Sequence, residues 1–174
     1  LRALQDAGLT RLYIGPESGD DVVLKRIAKG DTFAGHVSAA EKAHGAGMEL
    51  SVIALLGIAM ERSSQHARAT AELVTAMDPA FFSALTVTVV PGTPLATLSE
   101  RGSFKVPGVP DLLRELREMV SLARPTSALF RTNHASNYLP LGGTLPRDAE
   151  RICATIDAAL AGRIPLRREA QRGL

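Results

Sequence analysis

The chain has 174 residues, 45% of them hydrophobic and 22% charged. That is enough apolar material for one domain with a sizeable core, and too much for intrinsic disorder as the main state. The net charge of +2 is uneven: Arg163–Leu174 carries four arginines against one glutamate and the rest of the chain is close to neutral, so the high pI marks a basic tail rather than a nucleic-acid groove.

The longest apolar run, Val52–Ala59, is far shorter than the about 20 residues of a bilayer span, and charged residues interrupt any secretory signal near the start. No membrane or nucleic-acid partner is indicated. Aromatic residues are scarce, with no Trp, two Tyr and five Phe, which weakens any stacking platform for single strands. The single cysteine, Cys153, permits no internal disulfide and suits a reducing cytoplasm. One thiolate also cannot hold an iron–sulfur cluster, and no metal ligands are expected. The chain opens at Leu1 without a methionine, inside an expected helix, which points to a fragment or a processed product.

In chain order, Leu1–Ala7 reads as a helix closed by Gly8, and Leu12–Gly15 as a short strand. The polar Glu17–Asp21 loop then caps a helix carried by Val23, Leu24 and Ile27 and stopped at Gly30. A helix is expected from about Phe33 to Ala46, then an apolar strand Leu50–Leu56 ending at Gly57. Ser63 and Ser64 are placed to cap a helix reaching Met77, where Asp78-Pro79 breaks it. A third strand is expected over Ala84–Val90, ended by Pro91-Gly92-Thr93-Pro94, and a loop rich in Pro and Gly leads to Pro110. Asp111–Ala123 is amphipathic through Leu112, Leu116, Met119 and Val120. Ser127–Thr132 is a possible fourth strand and Pro146–Ala161 the last helix. The central strands are apolar on both faces, as in a parallel sheet covered by helices. The fold class expected is therefore α/β, with parallel β/α units. Sites in such folds lie at the carboxyl ends of the strands.

Three segments in order carry a family resemblance. Leu9-Thr10-Arg11-Leu12-Tyr13-Ile14-Gly15-Pro16-Glu17-Ser18-Gly19-Asp20, followed by Lys29-Gly30-Asp31-Thr32, resembles the middle of a radical S-adenosylmethionine (SAM) domain. Leu55-Leu56-Gly57 with Glu61, His66 and Thr70 fits the next unit. Thr86–Leu95, with its Pro-Gly-Thr-Pro turn, is similar to the sixth barrel strand of those enzymes. The resemblance spans Leu1 to Leu95. Arg131–Leu145 is similar to the tail of some uncharacterised members.

The resemblance implies a (β/α)6 partial TIM-like barrel, of which this chain would be the second half (1–95). A C-terminal helical extension with one strand (96–162) and a basic, disordered tail (163–174) would follow. It also implies SAM as cofactor and a [4Fe–4S] cluster, held by three cysteines that this chain lacks. An electron donor would reduce the cluster, so that SAM cleaves to a 5′-deoxyadenosyl radical. On this reading the isolated chain is inactive and cytoplasmic, and its substrate is open.

Six residues are candidates for the SAM pocket: Glu17, Ser18, Lys29, Leu56, Gly57 and Val90. Glu17 is implied to accept hydrogen bonds from the ribose hydroxyls; alternatively it caps a helix or pairs with an arginine. Ser18 is read first as a cap and only second as a ribose contact. Lys29 faces the SAM carboxylate or complements a helix dipole. Leu56, Gly57 and Val90 lie beside adenine or simply end strands. Glu61, His66 and Arg68 read as helix-start and surface residues, and His134 as part of a self-bonded polar turn. The alternative function is a non-catalytic α/β module holding a small molecule or anion at the Gly-Pro-Glu-Ser-Gly turn. A hydrolase or lyase using Glu17 and His134 is the weakest reading, since no nucleophile stands beside a base.

Overall fold

The computed structural model describes residues 1–172. The first half contains α1 (Arg2–Asp6), β1 (Arg11–Glu17), α2 (Asp21–Arg26), α3 (Phe33–His44), β2 (Glu49–Leu56) and α4 (Ser63–Met77). The second contains β3 (Phe81–Thr86), α5 (Pro94–Glu100), α6 (Val109–Leu122), β4 (Ala128–Arg131), β5 (Gly142–Leu145) and α7 (Ala149–Leu160). All strands join one sheet in the order β1-β2-β3-β4-β5. The first four are parallel, and β5 returns antiparallel on β4. Sequential parallel strands joined by helices are the arrangement of a β/α barrel segment, so the α/β, partial TIM-like fold expected from sequence is the observed one.

Strand alternation decides which face is buried. Leu50, Val52, Ala54 and Leu56 of β2, Phe82 and Ala84 of β3, and Ala128 and Phe130 of β4 are at most 2% exposed. They share one face and pack under α4, α6 and α7 through Leu73, Met77, Leu116, Met119 and Ile152. Phe82 and Phe130 meet there with ring centroids 5.4 Å apart. The opposite face carries Tyr13, Ile53, Phe81, Ser83, Leu129 and Arg131, and of these Tyr13 and Arg131 are exposed and the rest half-buried. Helices thus cover one face, as in a β/α barrel segment. The apolar residues at the odd positions line the concave side. Its carboxyl end is partly roofed by a small second core of Val23, Ile58, Ala59, Val87 and Phe104, against which Leu55 packs.

The third strand lies earlier than expected, over Phe81–Thr86 rather than Ala84–Val90. Val87 still bonds back to the Leu56 carbonyl, but the chain then leaves the sheet. Thr93 donates both its amide and its hydroxyl to the Val90 carbonyl, and the same hydroxyl oxygen accepts from Ala96 to cap α5. That turn draws the Val segment out of the sheet and starts a helix where a loop was expected. The β5 strand was missed because Gly142-Gly143-Thr144-Leu145 has no apolar alternation. Nor does the basic tail project freely up to residue 172. Arg172 stacks 4.0 Å over the Tyr138 ring, donates to Tyr138 Oη, to Glu169 Oε1 and to the Ser136 carbonyl, and its side chain is 5% exposed.

Among the described residues, the outer edge of β1 is unpaired, whereas β3 lies between β2 and β4. An open edge beside an exposed aromatic favours association. We expect concentration-dependent self-association in sedimentation velocity. Tyr13→Lys should reduce it without lowering Tm, since Tyr13 is 69% exposed. Phe82→Ala should instead cost about 3–5 kcal/mol in denaturant unfolding.

Candidate functional site

Glu17 ends β1 at φ +67, a left-handed conformation unfavourable for a residue with a Cβ. The register slips between Ile14 and Glu17, so the bulge re-aims the side chain. Its carboxylate folds back over Gly15: a Cβ added at Gly15 would lie 2.6 Å from Glu17 Oε1. Gly15 shares its face with Arg11 and Tyr13, so the carboxylate stands on the open face of the sheet. Lys29 Nζ donates to Glu17 Oε1 at 3.1 Å, and both side chains are part-exposed.

The other four candidates are placed differently. Ser18 is fully buried; its Oγ accepts from the Asp20 amide and meets His66 Nδ1 at 2.8 Å. The cap of α2 is Asp20, whose Oδ1 accepts from the Val22 amide. Leu56 points into the helix-side core at 2% exposure, and its carbonyl is taken by Val87. The Gly57 amide donates to Glu115 Oε1 at 2.8 Å. Val90 lies outside the sheet, 53% exposed. Of the six candidates, only Glu17, with Lys29 against it, offers a polar side chain to the open face.

Beneath them lies a buried network that the sequence reading missed. His66, expected at the surface, is fully buried on α4. Ser18 Oγ and Thr70 Oγ1 face its Nδ1 at 2.8 and 3.4 Å, and each hydroxyl also accepts a backbone amide, from Asp20 and Gly19. Nε2 has no hydrogen-bond partner and lies 3.5 Å from Glu115 Oε1. Glu115, on α6, accepts from Gly57 N–H and from Ser63 O–H. Ser63, expected as a cap, is thereby spent on Glu115.

Burial pushes Glu115 up to about 7 against the two hydrogen bonds it accepts, and burial pushes His66 down to about 4. Near neutral pH the contact is therefore not an ion pair. An open hollow of about 670 Å³ reaches Glu115 between Met60–Ser64 and Lys105–Glu118, but Glu17 and Lys29 do not line it. His134 bonds Ser136 through Nδ1, as a self-bonded turn does.

The sign of the Glu115 effect follows from its raised folded-state value. The folded state holds the proton more tightly than the unfolded chain, so stability is lost as pH rises from about 4.5 to about 7. His66, depressed from 6.5, has the opposite effect between 6.5 and about 4. Glu115→Gln deletes only the first. From pH 5 to pH 8, the stability of Glu115→Gln relative to the parent should therefore rise, by up to roughly 3 kcal/mol. Urea unfolding at the two pH values measures it; a constant difference would remove Glu115 as a buried titrating group.

The radical SAM superfamily family model matches residues 1–68. Among solved structures, the chain is similar to the archaeal Methanocaldococcus infernus Elp3 with N-terminus deletion (1-46), at 18% identity and TM-score 0.61. That match covers 70% of this chain and 29% of the other, and the likeness is one of fold. No curated protein matches. The matched residues 1–68 hold β1, β2 and the start of α4, so over this segment the chain is similar to the radical SAM superfamily.

Proposed function

We propose that this chain is the second half of a SAM-binding barrel, with Glu17 as the residue that receives the ribose of SAM. The observation that supports this is the strained, re-aimed carboxylate of Glu17 on the open face at the carboxyl end of β1. A backbone cost of order 1–3 kcal/mol persists where the side chain it aims is used. A carboxylate accepts from two vicinal hydroxyls at once, and Lys29 at 3.1 Å holds it in place. In the family, bound SAM supplies a carbon radical that removes hydrogen from substrate. On this reading the protein is cytoplasmic, and an electron donor serves the complete enzyme.

The described residues do not fit an iron–sulfur cluster. The single cysteine lies on α7, with its thiol 3.7 Å from the Arg117 carbonyl in the helix layer. Among the described residues no group of three or more His, Cys, Asp or Glu side chains is placed to hold a metal ion. No step of radical chemistry is assigned to these residues, and we read the chain as needing a further segment or partner for it.

Equilibrium dialysis with labelled SAM tests the pocket. We expect saturable binding that Glu17→Gln weakens at least tenfold, about 1.4 kcal/mol, with Tm changed little, since an exposed pair contributes at most about 1 kcal/mol. Equal binding by the parent and the variant would make Glu17 a structural turn residue. Anaerobic incubation of the chain with iron and sulfide should give no four-iron absorbance; a near-stoichiometric cluster would overturn the assignment of this chain as the cluster-free half.

A further inference from the structure

On the open face, the register aligns Ile53, Ser83, Arg131 and Gly142 across β2, β3, β4 and β5. Arg131 is the only cation on this row, and its side chain is exposed. Several other arginines are engaged: Arg11 with Glu49, Arg62 with Asp20, Arg117 with Asp157. The Arg131 guanidinium has no such partner among the described residues. Its neighbours in register are the two smallest on the row, Ser83 and Gly142. The Gly142 Cβ direction meets nothing closer than the Phe130 carbonyl oxygen at 3.8 Å. In register, Arg131 is thus flanked by a serine, whose hydroxyl has no hydrogen-bond partner among the described residues, and by a glycine. Ile53, Leu85 and Leu129, all half-buried, lie on the same face of the sheet.

We propose that Arg131, with Ser83 beside it, binds the oxyanion of an organic substrate that carries a carboxylate or phosphate group. A planar guanidinium matches both groups through paired N–H bonds, and a serine hydroxyl adds a third donor. The apolar side chains of that face take the carbon skeleton. Three strand spacings, about 14 Å, separate β4 from β1. That distance sets Arg131 apart from the Glu17 carboxylate and leaves room between them for a substrate to lie alongside a cofactor. The proposal deepens the reading of this face as a SAM site and rests on it for the word substrate; the anion site itself does not depend on SAM.

The test is an NMR titration of the 15N-labelled chain at constant ionic strength, once with inorganic phosphate and once with acetate. We expect the Arg131 Nε–H and Ser83 amide signals to move saturably with one of the two, which names the group. Exposed Arg101 at the end of α5 should drift without saturating. Arg131→Gln should weaken binding at least tenfold at unchanged Tm, and Ser83→Ala a few-fold. Equal, unsaturable shifts at Arg131 and Arg101, or saturable binding that survives Arg131→Gln, would overturn the proposal. A SAM titration on the same samples separates the two readings. Arg131→Gln that loses the oxyanion but keeps SAM supports a distinct substrate site. Loss of SAM with Glu17→Gln alone bears only on the cofactor site.

Discussion

The carboxyl group of Glu115 is the point on which the carboxyl-terminal rim of the sheet depends. It sits on α6, yet its two oxygens take donors from the end of β2 and the start of α4. His66, one turn into α4, lies against it and carries the connection on to Ser18 and Gly19 after β1. Four segments thus meet at one buried polar cluster, in which His66 and Glu115 are in contact at 3.5 Å. Such a cluster is costly to leave half-made, because each buried polar atom deprived of its partner costs about 1–3 kcal/mol. The approach is correspondingly close: a Cβ on Gly19 would come within 2.1 Å of the Ala69 carbonyl oxygen. Glycine is required there so that the loop after β1 can lie directly on α4.

This network explains why Glu17 sustains its backbone strain. The residue following it, Ser18, is pinned to α4, and the strand preceding it is pinned to β2. Between these fixed points the bulge has one way to close, and it sends the Glu17 side chain over Gly15 onto the concave face. Burial below thus fixes a polar group above. The Lys29 contact alone would be too weak to do so, since both partners are part-exposed.

Much of this was legible in the sequence where periodicity was strong. The amphipathic α6, the apolar β2 and the helix ending at Met77 all lie within two residues of their expected bounds. The resemblance located Glu17 at a strand end. What failed did so for physical reasons. His66 and Glu115 are polar residues read as solvated by default; only their distant partners make burial tolerable, and those partners have no sequence proximity. Val87–Val90 has strand propensity, but the Thr93 turn and the Phe82–Phe130 core contact decided where β3 runs. The concave face looked buried because its odd positions are apolar, and sequence does not state which partner covers an apolar face. Arg131 drew no notice because a charge at a strand end resembles any solvated residue until the register sets Ser83 and Gly142 beside it.

The two ends of the open face also differ in how firmly they are held. At β4 the turn that follows is locked: Asn137 donates to the Ala84 and Thr132 carbonyls and accepts from Thr86 Oγ1. The tail then clamps that turn through Arg172 on Tyr138 and Arg167 on the His134 carbonyl. At β1 the sheet has one neighbour, and the Glu17 carboxylate rests on a single part-exposed lysine. Local stability follows buried contacts and satisfied polar groups. The backbone that carries Arg131 is therefore firmly held although its side chain is exposed, whereas the strand that ends in Glu17 has a free edge. Ordering a side chain at either end costs about 0.5–1.5 kcal/mol, since Arg131 is exposed and Glu17 part-exposed. Pairing along the free edge of β1 would stiffen the strand that ends in Glu17, whereas β4, paired on both sides, is already held.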